Sequence, residues 1–147
     1  MDELRELYQQ LILDHNKNPR NFKVMKDHSA VADGHNPLCG DKLQLFVKIK
    51  DDLIEDISFI GSGCAISKAS ASIMTEELMG KSVTDAEKIF FNFRNLITSG
   101  EINTSSLGKL EVLTGVHKFP SRVKCALLAW HTLKNIIDQN HTIATTE

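Results

Sequence analysis

Between residues 43 and 59 the chain changes its hydrophobic period, and this narrows the folds open to it. Leu43, Leu45, Val47 and Ile49 alternate with Lys42, Gln44 and Lys48; Asp51-Asp52 interrupts, and Ile57 and Phe59 then alternate with Asp56 and Ser58. A period of two sends successive side chains to opposite faces, so this stretch predicts a β-hairpin with one buried face. Ala30 to Asp33 offers a further strand. Together they make a small antiparallel sheet of about three strands, below the usual sheet size. The remainder reads helical.

Leu4, Leu7, Tyr8, Leu11 and Ile12 recur at helical spacing and predict a first helix that stops before Asn18-Pro19. Ile66 to Met79 predicts a second helix, with Gly80 just past its end. Thr84-Asp85-Ala86-Glu87 reads as a capping box opening a third helix through about Leu96. Thr98 to Lys118 reads as a loop with a short helix around Leu107 to Leu113. Ser121 is the expected N-cap of a terminal helix reaching about Gln139, and the tail from Asn140 to Glu147 is expected to fray. Met74, Met79, Phe90, Phe91, Phe93 and Trp130 read as core, and Ser67, Ser70 and Ser72 as a small-residue packing surface.

At 147 residues with 41% hydrophobic content, the chain is expected to form one domain, 1–147, that folds on its own core without disulfides. The formal net charge is -2, and Lys17, Arg20, Lys23 and Lys26 are spaced along a loop as a solvated surface, so nucleic acid is not an expected partner. Met1 to Glu6 contains no apolar signal-like run, and no stretch approaches the roughly 18 apolar residues of a membrane span. No membrane association and a cytoplasmic location are expected. In a reducing compartment an odd number of cysteines favours metal binding or thiol chemistry over a disulfide framework.

The cysteines are Cys39, two residues before Asp41 in Asn36-Pro37-Leu38-Cys39-Gly40-Asp41; Cys64, after Gly61-Ser62-Gly63; and Cys125, after Arg122-Val123-Lys124. Three thiolates and a carboxylate match a tetrahedral zinc site in number and kind. Cys64 falls between a strand and a helix, and Cys125 is expected in the first turn of the terminal helix, where free N–H groups favour a thiolate. Both are therefore expected to ionise more easily than a free cysteine. Cys39 and Asp41 can face one point only if Gly40 gives the backbone unusual freedom. Each cysteine taken alone also fits a small buried apolar side chain, Asp41 a turn carboxylate, and Gly61-Ser62-Gly63 a tight turn. The spacings match no short CxxC-type signature, and His35 is an alternative ligand.

Tyr8 to Asn21 (YQQLILDHNKNPRN), Asn36 to Asp41 (NPLCGD), Gly61 to Ser72 (GSGCAISKASAS) and Phe119 to Ala126 (FPSRVKCA) resemble the corresponding segments of the IscU-like iron–sulfur assembly proteins, specifically the SufU branch. The resemblance spans nearly the whole chain. It implies an α+β fold with a small antiparallel sheet flanked by helices, a zinc site of Cys39, Asp41, Cys64 and Cys125, and work beside a SufS-like cysteine desulfurase and downstream iron–sulfur assembly proteins.

Scaffold-type members of the family carry a histidine just before the third cysteine and a Leu-Pro-Pro-Val-Lys motif upstream. Here Lys124 and Phe119-Pro120-Ser121-Arg122-Val123 stand there, and the segment from about residue 100 to 117 resembles the insertion of the SufU branch. The resemblance thus implies a zinc-dependent sulfurtransferase in which Cys39, on its flexible loop, takes up sulfur. The alternative is a scaffold for a transient [2Fe–2S] cluster on the same cysteines. Arg122 is expected beside the ligands, pairing with Asp41, or else as an exposed arginine at a helix start.

Overall fold

A computed structural model describes residues 2–100, 107–139 and 144–145, with the side chains of residues 2–4 and 144–145 excepted. Helix α1 (Asp2–Lys17) leads to strands β1 (Ala30–Asn36), β2 (Asp41–Lys50) and β3 (Leu53–Ser62). Helices α2 (Ala65–Leu78) and α3 (Val83–Ser99), a 3-10 helix (Gly108–Lys118), helix α4 (Pro120–Ile137) and strand β4 (Ala144–Thr145) follow. The sheet order is β3-β2-β1-β4. The β1–β2 and β2–β3 pairs are antiparallel, giving the expected three-stranded α+β architecture.

The hairpin forms where the alternation places it. Asp51 (φ 53) and Asp52 (φ 62) form its tip, and left-handed backbone at both central residues suits the twist of the flanking strands. Leu43, Leu45, Val47, Ile57 and Phe59 turn into the core under the helices. The tail departs from expectation: Ala144 and Thr145 pair in parallel with Gly34 and His35. Residues 140–143 and 146–147 lie outside the described residues, as do 101–106 of the stretch likened to the SufU insertion.

Two helix starts differ from the sequence expectation. Helix α3 is capped by Ser82, whose hydroxyl accepts from Asp85 N and whose carbonyl accepts the first intrahelical bond from Ala86 N, while the Val83 N–H, which has no partner inside the helix, donates to Asp52 O at the hairpin tip. Helix α4 begins at Pro120 in its N1 position, with Phe119 as an N-cap that makes no side-chain bond; Ser121 is inside the helix. Gly80 stands one residue past the Met79 C-cap, as expected. The 3-10 helix is longer than the sequence suggests, and its three-residue period buries Leu110, Leu113 and Val116 together.

Helix α2 packs its small residues against α4. Ser67, Ala69, Ser70, Ala71 and Ser72 are buried, Ser70 Oγ donates to Ala126 O, and Trp130 Nε1 donates to Ser70 Oγ. Trp130 stacks obliquely near Phe93 and Phe90. Phe91 and Met79, expected in the core, are instead exposed because they fall on the outward sides of their helices' ends and faces. No helix among the described residues is long and apolar enough to cross a membrane.

Helix α1 is pinned to α2 by a buried histidine. His15 Nδ1 lies 2.7 Å from Ser72 Oγ, which also accepts from Arg20 N, and Nε2 faces Glu76 at 3.5 Å. Burial, followed by the Arg20 charge, holds the His15 pKa below its ordinary 6.5 despite Glu76. Burial lowers His131 likewise. Because the unfolded chain then binds these protons more tightly, the associated stability is full above the ordinary value and declines as pH falls below about 6.5. Thermal unfolding in chelator, followed downwards through that pH, is expected to show the decline, with a shallower slope for His15→Gln. Equal slopes would remove His15 from this account.

Candidate metal centre

The β1–β2 connection is a four-residue loop, Pro37 to Gly40, closed by the Asn36–Asp41 pair. Gly40 has φ 73, a left-handed conformation that lets the loop turn back while Cys39 faces the first residue of β2. Cys39 is half-buried, and its neighbour Leu38 is 64% exposed. Asp41 is fully buried. Its Oδ1 accepts from Cys64 N at 2.8 Å, and its Oδ2 accepts from Asn36 Nδ2 at 3.3 Å.

Cys64 is the N-cap of α2, and its sulfur accepts from Ser67 N at 3.4 Å. The Gly61-Ser62-Gly63 approach is needed for this placement. A Cβ on Gly63 would lie 2.5 Å from Asp41 Oδ1. Gly63→Ala is expected to displace the carboxyl group, cost about 1–3 kcal/mol of stability as overpacking does, and free the Cys64 amide for hydrogen exchange. An unchanged melting temperature with the amide still protected would show that the contact relaxes without cost.

Cys125 is fully buried, with its sulfur 3.3 Å from that of Cys39 and 3.5 Å from Asn36 Nδ2. The expected first-turn location is not met: α4 starts at Pro120, so Cys125 is in the second turn, beyond the unpaired N–H groups. Its thiol is accordingly not activated in the metal-free chain. Burial pushes its pKa up, and hydrogen bonds with Cys39, Asp41 and Cys64 add to the rise.

Cys39, Asp41 and Cys125 offer donor atoms within 4.8 Å of one another. Cys64 stands just outside that group, with Sγ 3.9 Å from Asp41 Oδ2. All three cysteines are free. His35 does not join them. It pairs with Lys42, one step along from the Asn36–Asp41 pair, and the alternation of the strand sends it to the opposite face. Arg122 is exposed and makes no ion pair with Asp41 among the described residues. It stands at the start of α4, as the alternative expectation has it, and its charged form is favoured by a hydrogen bond with Cys125 first, then by Cys64.

Sequence reasoning passed over Asn36. The signal was its place at the far end of the loop, directly across the hairpin from Asp41. The donor set suits a borderline-soft divalent ion: three sulfurs and one oxygen at one end of the sheet, with the carboxyl group oriented by an amide from a second element.

The fold and this cluster define a small α+β domain with a thiol-rich group of donors at the end of its sheet. The chain belongs to the NifU-like N-terminal domain family, which matches residues 7–135. It is 46% identical over 132 residues to the zinc-dependent sulfurtransferase SufU of Bacillus subtilis, covering 89% of each chain. It is 41% identical over 142 residues to the iron–sulfur cluster assembly scaffold protein IscU of Streptococcus pyogenes, covering 95% of this chain and 88% of that one. The crystal structure of a proposed iron–sulfur cluster assembly scaffold protein for the SUF system from Fervidobacterium islandicum superposes with a TM-score of 0.82 at 34% identity, over 87% of this chain and 94% of that one.

Proposed function

We propose that this chain, as one domain over 1–147, is a zinc-dependent sulfurtransferase of iron–sulfur cluster assembly, with Cys39, Asp41, Cys64 and Cys125 as ligands and Cys39 as sulfur acceptor. The observation that carries this reading is the convergence of Cys39, Asp41 and Cys125 within 4.8 Å, beside Cys64, with Cys39 alone on an exposed loop. When bound, zinc supplies redox-inert charge that keeps the sulfurs deprotonated. The donor is a cysteine desulfurase, whose active cysteine carries a persulfide. The Cys39 thiolate attacks the terminal sulfur of that persulfide, a new S–S bond forms on Cys39, the donor's S–S bond breaks, and its electron pair leaves with the desulfurase cysteine as thiolate.

The chain's own residues divide the work. Asp41, Cys64 and Cys125 are tied to β2, α2 and α4 and stay in place. Among the described residues the Cys39 sulfur has only that of Cys125 as hydrogen-bonding neighbour, so turning outward breaks little. Arg122, at the start of α4, keeps a positive charge that a hydrogen bond with Cys125 favours first and Cys64 next. Exposed Leu38 and Phe119 offer apolar contact to a docking protein. Downstream iron–sulfur assembly proteins take the sulfur onward, in the cytoplasm.

Mixing the zinc-loaded protein with desulfurase and cysteine is expected to accelerate alanine formation and place persulfide on this chain. Supplying iron and sulfide is expected to yield no stable cluster, since Lys124 stands where scaffold-type members have histidine. Visible absorbance from a stoichiometric, transferable cluster on the zinc-loaded chain would reverse the assignment in favour of the scaffold.

A further inference from the structure

We propose that Asn36 is a positioning residue of this centre, whose side-chain amide clamps Asp41 and Cys125 together so that both stay in place when Cys39 turns outward. The inference rests on the sulfur-transfer reading above.

Asn36 ends β1 and is fully buried. Its Nδ2 donates to Asp41 Oδ2 at 3.3 Å and to Cys125 Sγ at 3.5 Å, reaching groups carried by β2 and α4. A side-chain amide nitrogen has two N–H donors, and here each has its own acceptor. The amide oxygen, by contrast, is buried with no hydrogen-bond partner among the described residues. The cost of burying this polar side chain is therefore offset only on its N–H side, at the ligand set. A residue serving packing alone would be apolar in such a place.

The hydrogen bonds sort the four donors unequally. Asp41 Oδ1 is held by Cys64 N, the Cys64 sulfur by Ser67 N, and Asn36 ties both Asp41 and Cys125. Among the described residues Cys39 receives no such tie from an amide. N–H donors directed at anionic ligands also ease the repulsion among like charges gathered around one ion. The three amide-tied donors are those that must keep their arrangement while the fourth departs, and Asn36 is the residue that brings Cys125 into that group.

The test measures zinc affinity of the full chain by competition with a chromophoric chelator. Asn36→Asp keeps the side chain's size while removing both donors, and Asn36→Ala removes the amide altogether. Affinity is expected to fall about 10–100-fold in each, the range found when groups orienting metal ligands are removed. In a Cys39→Ser background, where the tied donors alone hold the ion, adding Asn36→Ala is expected to cost a larger factor than in the wild type. A purely structural Asn36 would lower the melting temperature of the chelated protein and show no such coupling. Where a variant does not fold, the wild type loaded with an NMR-active cadmium isotope supplies the reading. The Asn36 side-chain amide protons are expected to exchange slowly and to couple to cadmium across the N–H···S contact. Fast exchange without coupling, or wild-type affinity in folded Asn36→Asp, overturns the clamp. A wild-type chain that takes up no zinc overturns the sulfur-transfer reading and the clamp with it, whereas zinc uptake unaffected by either variant overturns the clamp alone.

Discussion

Cys39→Ser is expected to abolish persulfide acceptance and the stimulation of desulfurase turnover while leaving the fold intact. The reason lies in how each sulfur is held. Cys64 caps α2 and receives Ser67 N–H, and Cys125 is buried inside α4 beneath Asn36. Neither can swing outward without unpicking a helix. Cys39 lies in the Pro37 to Gly40 loop, where movement disturbs neither the ladder below it nor the core. Cys64→Ser and Cys125→Ser are expected to fail differently, through loss of zinc. Peptide mapping of the trapped intermediate decides the matter. Persulfide found mainly on Cys64 or Cys125, or a Cys39→Ser variant that still accepts sulfur, would sink the assignment of Cys39 even with the family membership unchanged.

Asp41→Ala and Cys125→Ser are each expected to reduce zinc from about one per chain, the count a four-donor site implies, to near zero in elemental analysis. Both side chains are fully buried, so no solvent-exposed group is placed to substitute for either. Asp41→Ala has a further consequence, since it leaves the N–H of Cys64 without its acceptor and the amide of Asn36 with Cys125 alone. Chelating the wild type is expected to lower the melting temperature without unfolding the chain. The cluster that includes Trp130, Phe93, Leu45 and Ile57 is assembled from β2, β3, α2, α3, the 3-10 helix and α4, and includes none of the cysteines. For a domain of this size each kcal/mol lost corresponds to roughly 2–8 °C. Zinc retained in both variants would refute the ligand set, and complete unfolding on chelation would show that the centre, like a zinc finger, organises the fold.

Much of the secondary structure follows from local rules that act within a few residues. The period-two run at Leu43 to Ile49 forms β2, the two aspartates at 51 and 52 make the turn, and proline at 19 lies just beyond α1, which ends at Lys17. Cys64 caps α2 because the Gly61-Ser62-Gly63 approach delivers it there. The same motifs, with those at Cys39 and Cys125, carried the family resemblance. Where local signals competed, tertiary contacts chose between them. Ser82 rather than Thr84 caps α3, with the adjoining Val83 N–H bonded to Asp52 O at the hairpin tip, and β4 forms only because β1 offers an edge to residues 144–145. The activation expected for Cys125 failed because burial pushes its pKa up, and because α4 starts two residues earlier than a Ser121 cap implies, which moves Cys125 into the second turn. The centre itself was legible only as a list of donor types in the sequence. Cys39 and Cys125 are 86 positions apart, and no periodicity or cap reaches across that distance. Their meeting, the exclusion of His35 by its strand face and the reach of Asn36 from β1 to both β2 and α4 depend on how helices and sheet pack, because hydrogen bonds and metal ligation require atoms within a few ångströms while sequence patterns specify only direction along one element at a time.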